Sequence, residues 1–321
     1  MSSSKPFATL VATALLTLGV AACGSDDSTS SDGAGATPSG LSGSLRIDGS
    51  STVGPLTQAV AEQFNADNPD VEVSVGESGT GGGFEKFCAG ETVINDASRP
   101  VEPEEEALCE KGGVNYEEAQ VANDALTVVL NNENPVSCLT VDQLAQIWDP
   151  DNPANSWSDV EGLNPPFDAE IERFGPGTDS GTFDYFTGEI NGEEGVQTKD
   201  YNNVGEDDNQ TVTGVEGSEG GIGYFGYSYY KENEGNLKAA EIDGGDGCVA
   251  PSEATVQDGT YAPLGRPLFI YVNMDKLGSD DALDPFVQYY VDNANDISPQ
   301  VGFIPMTEEQ QSKAKSAVAG S

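Results

Sequence analysis

Histidine is absent from this 321-residue sequence, and basic residues are scarce, with 13 lysines and arginines against 55 aspartates and glutamates. Without histidine there is no Ser-His-Asp triad, no Cys-His dyad and no histidine-ligated zinc site. The formal net charge of −42 argues against nucleic acid or an acidic membrane surface as the main partner. The acidic residues are scattered rather than spaced as in a calcium loop, so we interpret them as a solvated surface suited to a salty environment.

A long hydrophobic run is also missing. The N-terminal stretch FATLVATALLTLGVAA is too short and too rich in alanine and threonine for a comfortable membrane span. It ends in VAAC, and small residues directly before Cys23 resemble the lipobox of bacterial lipoproteins. We therefore predict a lipoprotein signal peptide over residues 1–22, cleavage before Cys23 and lipid attachment to its sulfur. The alternative is an ordinary signal peptide with Cys23 incidental. Residues 23–43, which are polar and rich in glycine and serine, are predicted to form a flexible tether.

Four further cysteines remain once Cys23 is assigned to lipid. An even number of cysteines in an exported chain predicts two disulfides, for which three connectivities are possible. No CxxC spacing is present, so the sequence does not indicate a metal-binding or redox-active role. The four are Cys88, Cys109, Cys138 and Cys248.

The rest of the sequence, with many of the 39 glycines and 18 prolines at its turns, alternates between short strands and helices. SLRIDGS reads as a strand, and GPLTQAVAEQFNADNP as a helix with Leu56, Val60 and Phe64 on one face. VEVSVGES is a strand that GTGGG interrupts before the helix FEKFCAGE, and VINDASRP is another strand. In the second half, SGTFDYFTGEI is a helix, and GIGYFGYSYY and RPLFIYVNM are strands. This order predicts an α/β fold with a mainly parallel sheet.

Four turns at predicted strand-to-helix junctions carry the chemistry: GSSTVGP, ESGTGGGF, ASRP and TDSGTF. Helix N-termini offer unpaired N–H donors and a partial positive charge, so they bind anions readily. Serine and threonine hydroxyls add donors, and glycine lets the backbone approach closely. A single turn of this kind is most simply a helix cap, but four in one histidine-free chain favour an anion site.

Together, DGSSTVGPLTQAVAEQF, SGTGGGFEKFCAGE, DASRPV and GPGTDSGTFDYF resemble the phosphate-binding protein of bacterial phosphate ABC transporters. The resemblance implies a type II periplasmic-binding-protein fold, with two α/β lobes joined by a two-crossing hinge and phosphate between them. On that pattern lobe 1 is residues 44–128 plus 264–321, and lobe 2 is residues 129–263. Pairing Cys88 with Cys109 and Cys138 with Cys248 is then preferred, because each disulfide lies within one lobe and leaves closure free.

The resemblance also implies a set of phosphate ligands, each supplying a hydroxyl or amide donor. A handful of charge-assisted hydrogen bonds is expected to support micromolar or tighter binding, a free energy of about −8 kcal/mol or stronger. The first contact turn matches at Thr52 and the backbone N–H of Val53, with Ser51 adjacent. The second matches at Ser78, and the third at Ser180, Gly181 and Thr182.

Two departures from the family pattern concern charged residues. Some members have a carboxylate that accepts the proton of the bound phosphate, and that position is Arg99 here; the arginine is expected to pair with the anion in bidentate fashion. Asp96 or Asp179 is then a possible proton acceptor, which leaves the selectivity over other anions open. Arg173 stands seven residues before Ser180, where members with a binding arginine place it four before, so it is either a ligand or a structural ion pair.

The expected function is that of an extracytoplasmic, lipid-anchored monomer that captures inorganic phosphate and delivers it to the permease subunits of an ABC transporter. No cofactor, metal, nucleic acid or catalysis is expected, and the lipid is the only expected membrane contact. One alternative is a binding protein for another oxyanion, such as sulfate, arsenate or molybdate. Another is a secreted phosphatase with Ser180 as nucleophile beside Asp179, although no motif such as G-x-S-x-G is present.

Overall fold

The computed structural model describes residues 40–178, 180–205 and 207–319, which form twelve β-strands and eleven α-helices. The strands are β1 (Ser42–Gly49), β2 (Asp70–Val75), β3 (Ile94–Ala97), β4 (Tyr116–Leu130), β5 (Cys138–Thr140), β6 (Glu172–Gly175), β7 (Asn202–Asn203), β8 (Gly221–Gly226), β9 (Lys238–Ala239), β10 (Glu241–Asp243), β11 (Cys248–Val249) and β12 (Gly265–Asn273). The helices are α1 (Gly54–Asp67), α2 (Gly79–Cys88), α3 (Pro103–Gly112), α4 (Val141–Trp148), α5 (Gly181–Asn191), α6 (Asp208–Gly217), α7 (Tyr227–Asn233), α8 (Glu253–Gln257), α9 (Met274–Leu277), α10 (Leu283–Ile297) and α11 (Glu308–Ala317). Short 3₁₀ turns occupy Trp157–Asp159 and Ser298–Val301.

Nine strands form one mixed sheet in the order β2-β1-β3-β12-β4-β8-β6-β7, with β9 also paired to β4. At one end β1 is parallel to β2 and β3, and at the other β6 is parallel to β7 and β8. In the centre, β12 is antiparallel to β3 and β4, and β4 is antiparallel to β8. The expected α/β class is confirmed, but the prediction of a mainly parallel sheet is wrong in its centre.

The antiparallel centre follows from how β4 and β12 connect the two groups of parallel strands. Residues 116–125 of β4 pair with β12, and residues 126–130 pair with β8, so this one long strand leads from the first group to the second. β12 pairs with β3 and β4 and leads back. A strand that leads out and one that leads back run in opposite directions, which the local strand-helix order of the sequence does not reveal.

Buried apolar side chains form two large clusters. The first includes residues of β1, α1, β12 and α10, and the second includes residues of β5, α4, α5 and β8. Leu56, Val60 and Phe64 of α1 are all at most 3% exposed within the first cluster, which confirms the helix face predicted from their spacing. Proline follows Asn68, where α1 has ended, as the sequence indicated.

The glycine-rich segment GTGGG belongs to a helix, contrary to the expectation that it only separates the strand VEVSVGES from the helix FEKFCAGE. α2 begins at Gly79 and contains three further glycines. A Cβ atom on Gly83 would lie 2.0 Å from Oδ1 of Asn95 and 2.5 Å from Cα of Gly49. The start of α2 therefore packs against β1 and β3 at a distance that only glycine allows, and this contact outweighs the low helix propensity of glycine.

The aromatic segment GIGYFGYSYY, expected to be one strand, changes from strand to helix. β8 ends at Gly226, which is the N-cap of α7. Tyr224 and Phe225 of β8 are fully buried, and the ring of Tyr224 stacks on Phe186 with 3.8 Å between centroids. These aromatic residues therefore pack in the core.

Both disulfides have the pairing that the resemblance favoured. Cys88 at the end of α2 is bonded to Cys109 of α3. Cys138 of β5 is bonded to Cys248 of β11, in the small sheet of order β11-β10-β5. Each bond thus ties together elements that already lie close to each other.

The expected signal peptide, Cys23 and most of the expected tether lie outside the described residues. Ser42 and Gly43, expected to be the end of the tether, belong to β1 and pair with Asp70 and Val71. Over the described part of the chain, no helix combines the length and apolar character needed to cross a membrane.

Candidate functional site

A polar cleft of about 300 Å³ lies where the turns after β1, β2 and β3 face α5 and β12. The turns follow the carboxyl ends of parallel strands, where ligands of open α/β sheets bind. Five residues predicted from the sequence line it: Ser51, Thr52, Ser78, Arg99 and Gly181. The lining also includes Asp184, Tyr185, Glu189, Glu194 and Arg266, none of which the sequence reasoning had selected.

The turn between β1 and α1 is held against the end of β3. The N–H of Ser50 donates to the carbonyl of Asp96 at 2.9 Å, and its hydroxyl accepts from the N–H of Thr52 at 3.2 Å. A Cβ on Gly49 would lie 2.1 Å from the same Asp96 carbonyl, so this close approach requires glycine. Val53 is the N-cap of α1 and is not among the lining residues. Its side chain is fully buried in the core, so only its backbone could contact a ligand.

Ser78, the N-cap of α2, is fixed by Asp48 at the end of β1. The backbone N–H of Ser78 donates to Oδ1 of Asp48 at 3.1 Å, and its hydroxyl donates to the same oxygen. Nζ of Lys86 donates to Oδ2 at 2.6 Å. Burial alone would raise the pKa of Asp48, but the hydrogen bonds from Lys86 and Ser78 outweigh it and lower that pKa. Asp48 is therefore an ionised support of the second turn, and its place in DGSS was the only sequence signal for it.

Arg99 lines the cleft, but its guanidinium is already paired. Nη1 donates to Oε2 of Glu105 at 2.9 Å and Nη2 donates to Oε1 at 2.8 Å, while Nε lies 3.3 Å from Glu102. The hydrogen bonds that Arg99 donates to Glu105 raise the pKa of Arg99, although burial opposes this rise. The bidentate geometry expected toward an anion is thus satisfied by a carboxylate of the protein itself.

One face of α5 forms the opposite wall. Gly181, Asp184, Tyr185, Gly188 and Glu189 follow the i, i+3, i+4, i+7, i+8 spacing of a single helix face, and all line the cleft. Because Gly181 has no side chain, the wall comes close to the first turn. An added Cβ there would lie 3.4 Å from Oγ1 of Thr52.

The other residues predicted for this third turn lie beside the lining. Ser180 is the buried N-cap of α5, and Thr182 is half-buried in its first turn. Neither is among the lining residues, but each adjoins Gly181 in the chain. Asp179 lies outside the described residues.

The two acidic residues of the α5 wall, Asp184 and Glu189, have raised pKa values. Burial raises the pKa of Asp184, which is half-buried. Burial also raises the pKa of Glu189, with the positive charge of Arg266 opposing the rise and Glu194 adding to it. Three acidic residues and two arginines line the cleft. An anion is therefore attracted only at positions where an arginine or a backbone N–H points toward it.

Arg266 of β12 is the functional candidate that the sequence did not reveal. Its Nη2 donates to Oγ1 of Thr52 at 3.1 Å, and its Nε donates to Oδ2 of Asp124 at 3.2 Å. Its guanidinium carbon lies 3.4 Å from the ring centroid of Tyr185. Thr52 is 214 positions away in the chain, so no local motif connects the two residues.

Two other predicted candidates lie away from the cleft lining. Asp96 is fully buried and accepts a hydrogen bond from the hydroxyl of Thr57 at 2.9 Å. Burial raises the pKa of Asp96 to about 8, although the hydrogen bond from Thr57 acts in the opposite direction. Arg173 is buried in β6, where it donates to the carbonyl of Ile147 at 2.7 Å and lies 3.6 Å from Asp200. Its contacts are those of the structural ion pair rather than of the ligand.

The fold and its polar cleft define the class of protein: the type II periplasmic-binding-protein fold expected from the sequence is confirmed. Residues 34–294 match the family described as the PBP superfamily domain. The chain is 45% identical over 265 residues to protein SphX of Synechococcus elongatus, covering 82% of this chain and 77% of that one. It is 38% identical over 278 residues to the phosphate-binding protein PstS of Staphylococcus saprophyticus, covering 84% of each.

The solved structures agree with these relatives. The crystal structure of a possible phosphate binding protein from Planctomyces limnophilus is 42% identical, with a TM-score of 0.81. The alignment covers 87% of this chain and 98% of that one. The chain therefore belongs to the PBP superfamily, and within it to the family of PstS-like binding proteins.

Proposed function

We propose that this protein binds inorganic phosphate in the cleft and delivers it to the permease of a phosphate ABC transporter. The observation that carries the proposal is the convergence of donors from separate segments in one cleft of about 300 Å³. Ser51 and Thr52 come from the turn after β1, Ser78 from the turn after β2, and Gly181 from the start of α5. Relatives of this chain, including PstS of Staphylococcus saprophyticus, are named as phosphate-binding proteins.

The bound anion would receive hydrogen bonds from hydroxyls and from the first N–H groups of three helices. α1, α2 and α5 begin at or beside the cleft, and their positive ends favour negative charge. We include Ser180, Thr182 and the backbone N–H of Val53 among the proposed ligands because each of the three residues adjoins a lining residue. Ser78 would donate to phosphate after its hydroxyl proton turns away from Asp48.

Binding would be coupled to closure of two lobes. We propose residues 44–128 plus 264–321 as one lobe and 129–263 as the other. In support, buried side chains form two large clusters, and β4 and β12 are the strands that connect the two groups of parallel strands. A ligand that contacts both walls favours the closed state, which the permease would recognise.

We further propose that the protein works outside the cytoplasm as a monomer, anchored by lipid on Cys23. The support is the VAAC sequence before a polar, glycine- and serine-rich segment. Mass spectrometry of the protein purified from membranes tests the anchor. We expect a diacylglyceryl-modified Cys23 at the new N-terminus, and a mature chain with an unmodified Cys23 would contradict it.

Capture of the anion, rather than hydrolysis of an ester, is the activity that the side chains favour. A serine nucleophile needs a base to accept its proton. The described residues that line the cleft include no histidine, lysine or cysteine, only carboxylates, and the candidate nucleophile Ser180 is not among them. A chromogenic phosphate ester tests this point. We expect no release of product, and a release that Ser180→Ala abolishes would favour the phosphatase alternative.

Isothermal titration calorimetry with inorganic phosphate tests the proposed function. The protein is first dialysed extensively against phosphate-free buffer to remove any ligand carried through purification. We expect one site with a dissociation constant in the micromolar range or below, about −8 kcal/mol or stronger. Absence of heat at millimolar phosphate would contradict the proposal, and a tighter site for sulfate, arsenate or molybdate would reassign the ligand.

A further inference from the structure

Among the described residues that line the cleft, Arg266 is the arginine with contacts to both walls. It donates to Thr52 in the turn after β1, and its guanidinium carbon lies 3.4 Å above the ring of Tyr185 in α5. Its side chain is 17% exposed. Arg266 itself stands on β12, one of the two strands that connect the groups of parallel strands.

The position of the guanidinium is fixed by two neighbours. Asp124 of β4 stands directly opposite Arg266 in the antiparallel pair, so the strand register brings their side chains to the same face. Tyr185 is 4% exposed, and its hydroxyl donates to the carbonyl of Pro263 at 2.8 Å. The ring is therefore immobilised at its far end, and its face supports the cation without competing for the N–H groups at the guanidinium edge.

The hydrogen bond to Thr52 leaves the threonine able to serve a ligand. Because Oγ1 of Thr52 accepts a hydrogen bond from Arg266, its own O–H remains free to donate. An oxyanion that accepts a hydrogen bond from this O–H would lie next to the guanidinium. Arg266 also keeps donors in reserve, since no described residue accepts a hydrogen bond from its Nη1.

Arg99 offers less to an anion. Both ends of its guanidinium fork are bonded to Glu105, so an anion would have to displace a carboxylate that makes two hydrogen bonds. In Arg266, Nε and Nη2 both lie 3.2 Å from Oδ2 of Asp124, and Nη2 also donates to the neutral hydroxyl of Thr52. Both terminal nitrogens of Arg99 are bonded to Glu105, whereas Nη1 of Arg266 has no partner among the described residues.

We propose that Arg266 is the guanidinium that binds the oxyanion, and that Tyr185 is a positioning residue whose ring holds it in the cleft. This proposal rests on the proposed function, since it assigns the charge within that binding site. Loss of the arginine removes the charge-assisted hydrogen bonds to the ligand. Loss of the ring removes the support under the guanidinium and frees it to turn away from Thr52.

Calorimetry with inorganic phosphate tests the assignment on the full protein. We expect Arg266→Gln to weaken phosphate binding about 100-fold and Arg266→Lys about 10-fold, because lysine keeps the charge but loses the planar fork. Arg99→Gln, the matched control, should weaken it by less than about fivefold. Should Arg266→Gln unfold, the double variant Arg266→Gln/Asp124→Asn, which leaves no unpaired carboxylate, replaces it. An affinity within threefold of wild type for the folded Arg266 variant overturns the assignment.

The role of Tyr185 requires a measurement that general destabilisation does not mimic. Tyr185→Phe keeps the ring and should bind phosphate within about threefold of wild type, whereas Tyr185→Leu should bind about 10-fold more weakly. In the Arg266→Gln background, Tyr185→Leu should cause no further loss, because the residue it positions is gone. An equal loss in both backgrounds overturns the positioning role. If wild type itself fails to bind phosphate, the proposed function fails instead, so the two failures are distinguishable.

Discussion

Arg99 binds Glu105 through both ends of its guanidinium, with N–O distances of 2.9 and 2.8 Å. The same carboxylate accepts a hydrogen bond from the backbone N–H of Glu102, with 2.9 Å between N and Oε2. This bond completes a capping box at the start of α3. Burial alone would raise the pKa of Glu105, but the hydrogen bonds from Arg99 and Glu102 lower it. The pair therefore ties the turn after β3 to α3, and its first role is structural.

Replacing Arg99 should affect stability more than binding. Arg99→Gln leaves the mostly buried Glu105 carboxylate without its partner, so the free energy of unfolding should fall by about 1–2 kcal/mol. Because the pKa of Glu105 is lowered in the folded state, this contribution is present above its unfolded pKa and disappears as the pH falls through the folded value. Urea unfolding at pH 7 and pH 3.5 measures both effects. Unchanged stability together with a large loss of phosphate affinity would show instead that Arg99 is a ligand.

Asp96 should make the protein less stable as the pH rises. Its carboxyl is fully buried, Oδ2 has no hydrogen-bond partner among the described residues, and the folded pKa is about 8 against an ordinary value of 3.8. The folded state therefore binds the proton more tightly. Its contribution is fully present below the ordinary pKa and is lost as the pH rises through about 8.

Asp96→Asn removes this titration while keeping an acceptor for Thr57. Relative to wild type, the variant should gain about 1.4 kcal/mol of unfolding free energy for each pH unit between the two pKa values. Urea unfolding of both proteins from pH 5 to pH 8.5 measures the gain. Asp67→Asn, at an exposed position in α1, is the control substitution. A constant difference between Asp96→Asn and wild type would contradict the buried, protonated carboxyl.

Asp184 is expected to distinguish phosphate from sulfate. It lies half-buried in the α5 wall, and burial raises its pKa. A carboxylate beside an anion is tolerated when the anion supplies a proton between them, and fully deprotonated sulfate has none. Asp184→Asn should therefore lower the ratio of phosphate to sulfate affinity by about 10-fold or more. Glu193→Gln, at an exposed acid that follows the end of α5 and is not among the lining residues, is the matched control. An unchanged ratio in Asp184→Asn would assign the selectivity elsewhere.

Salt should stabilise the protein markedly. A net charge of −42 on 321 residues produces self-repulsion, which is screened when the Debye length falls from about 10 Å at 0.1 M to about 3 Å at 1 M salt. We expect the midpoint of thermal unfolding to rise by at least about 5 °C over this range in potassium chloride. Sucrose of equal osmolality controls for non-ionic effects. A midpoint that does not respond to potassium chloride would contradict a repulsive surface.

The sequence predicted the elements that depend on local pattern and missed those that depend on distant contacts. Leu56, Val60 and Phe64 define the buried face of α1 through spacing alone, and the turns containing Thr52 and Ser78 were located through their motifs. The helical state of Gly79 depends on how closely α2 packs against β1 and β3, which propensity does not reveal.

The charged residues of the site show the same limit. Glu105 stands six positions after Arg99 in an acid-rich segment, so their pairing could have been predicted from the sequence. Arg266 and Thr52 are brought together only by the long strand β12, and the strand register places Asp124 opposite. Motifs therefore predicted where the hydroxyls and helix starts would gather, whereas the charge beside them needed the sheet topology.

A crystal structure of the protein grown with inorganic phosphate tests the central claim most directly. The account predicts a tetrahedral anion in the cleft between Thr52, Ser78 and Gly181, hydrogen-bonded to Arg266, with the Arg99–Glu105 pair intact. Phosphate bound elsewhere, with the cleft holding only water, would contradict it.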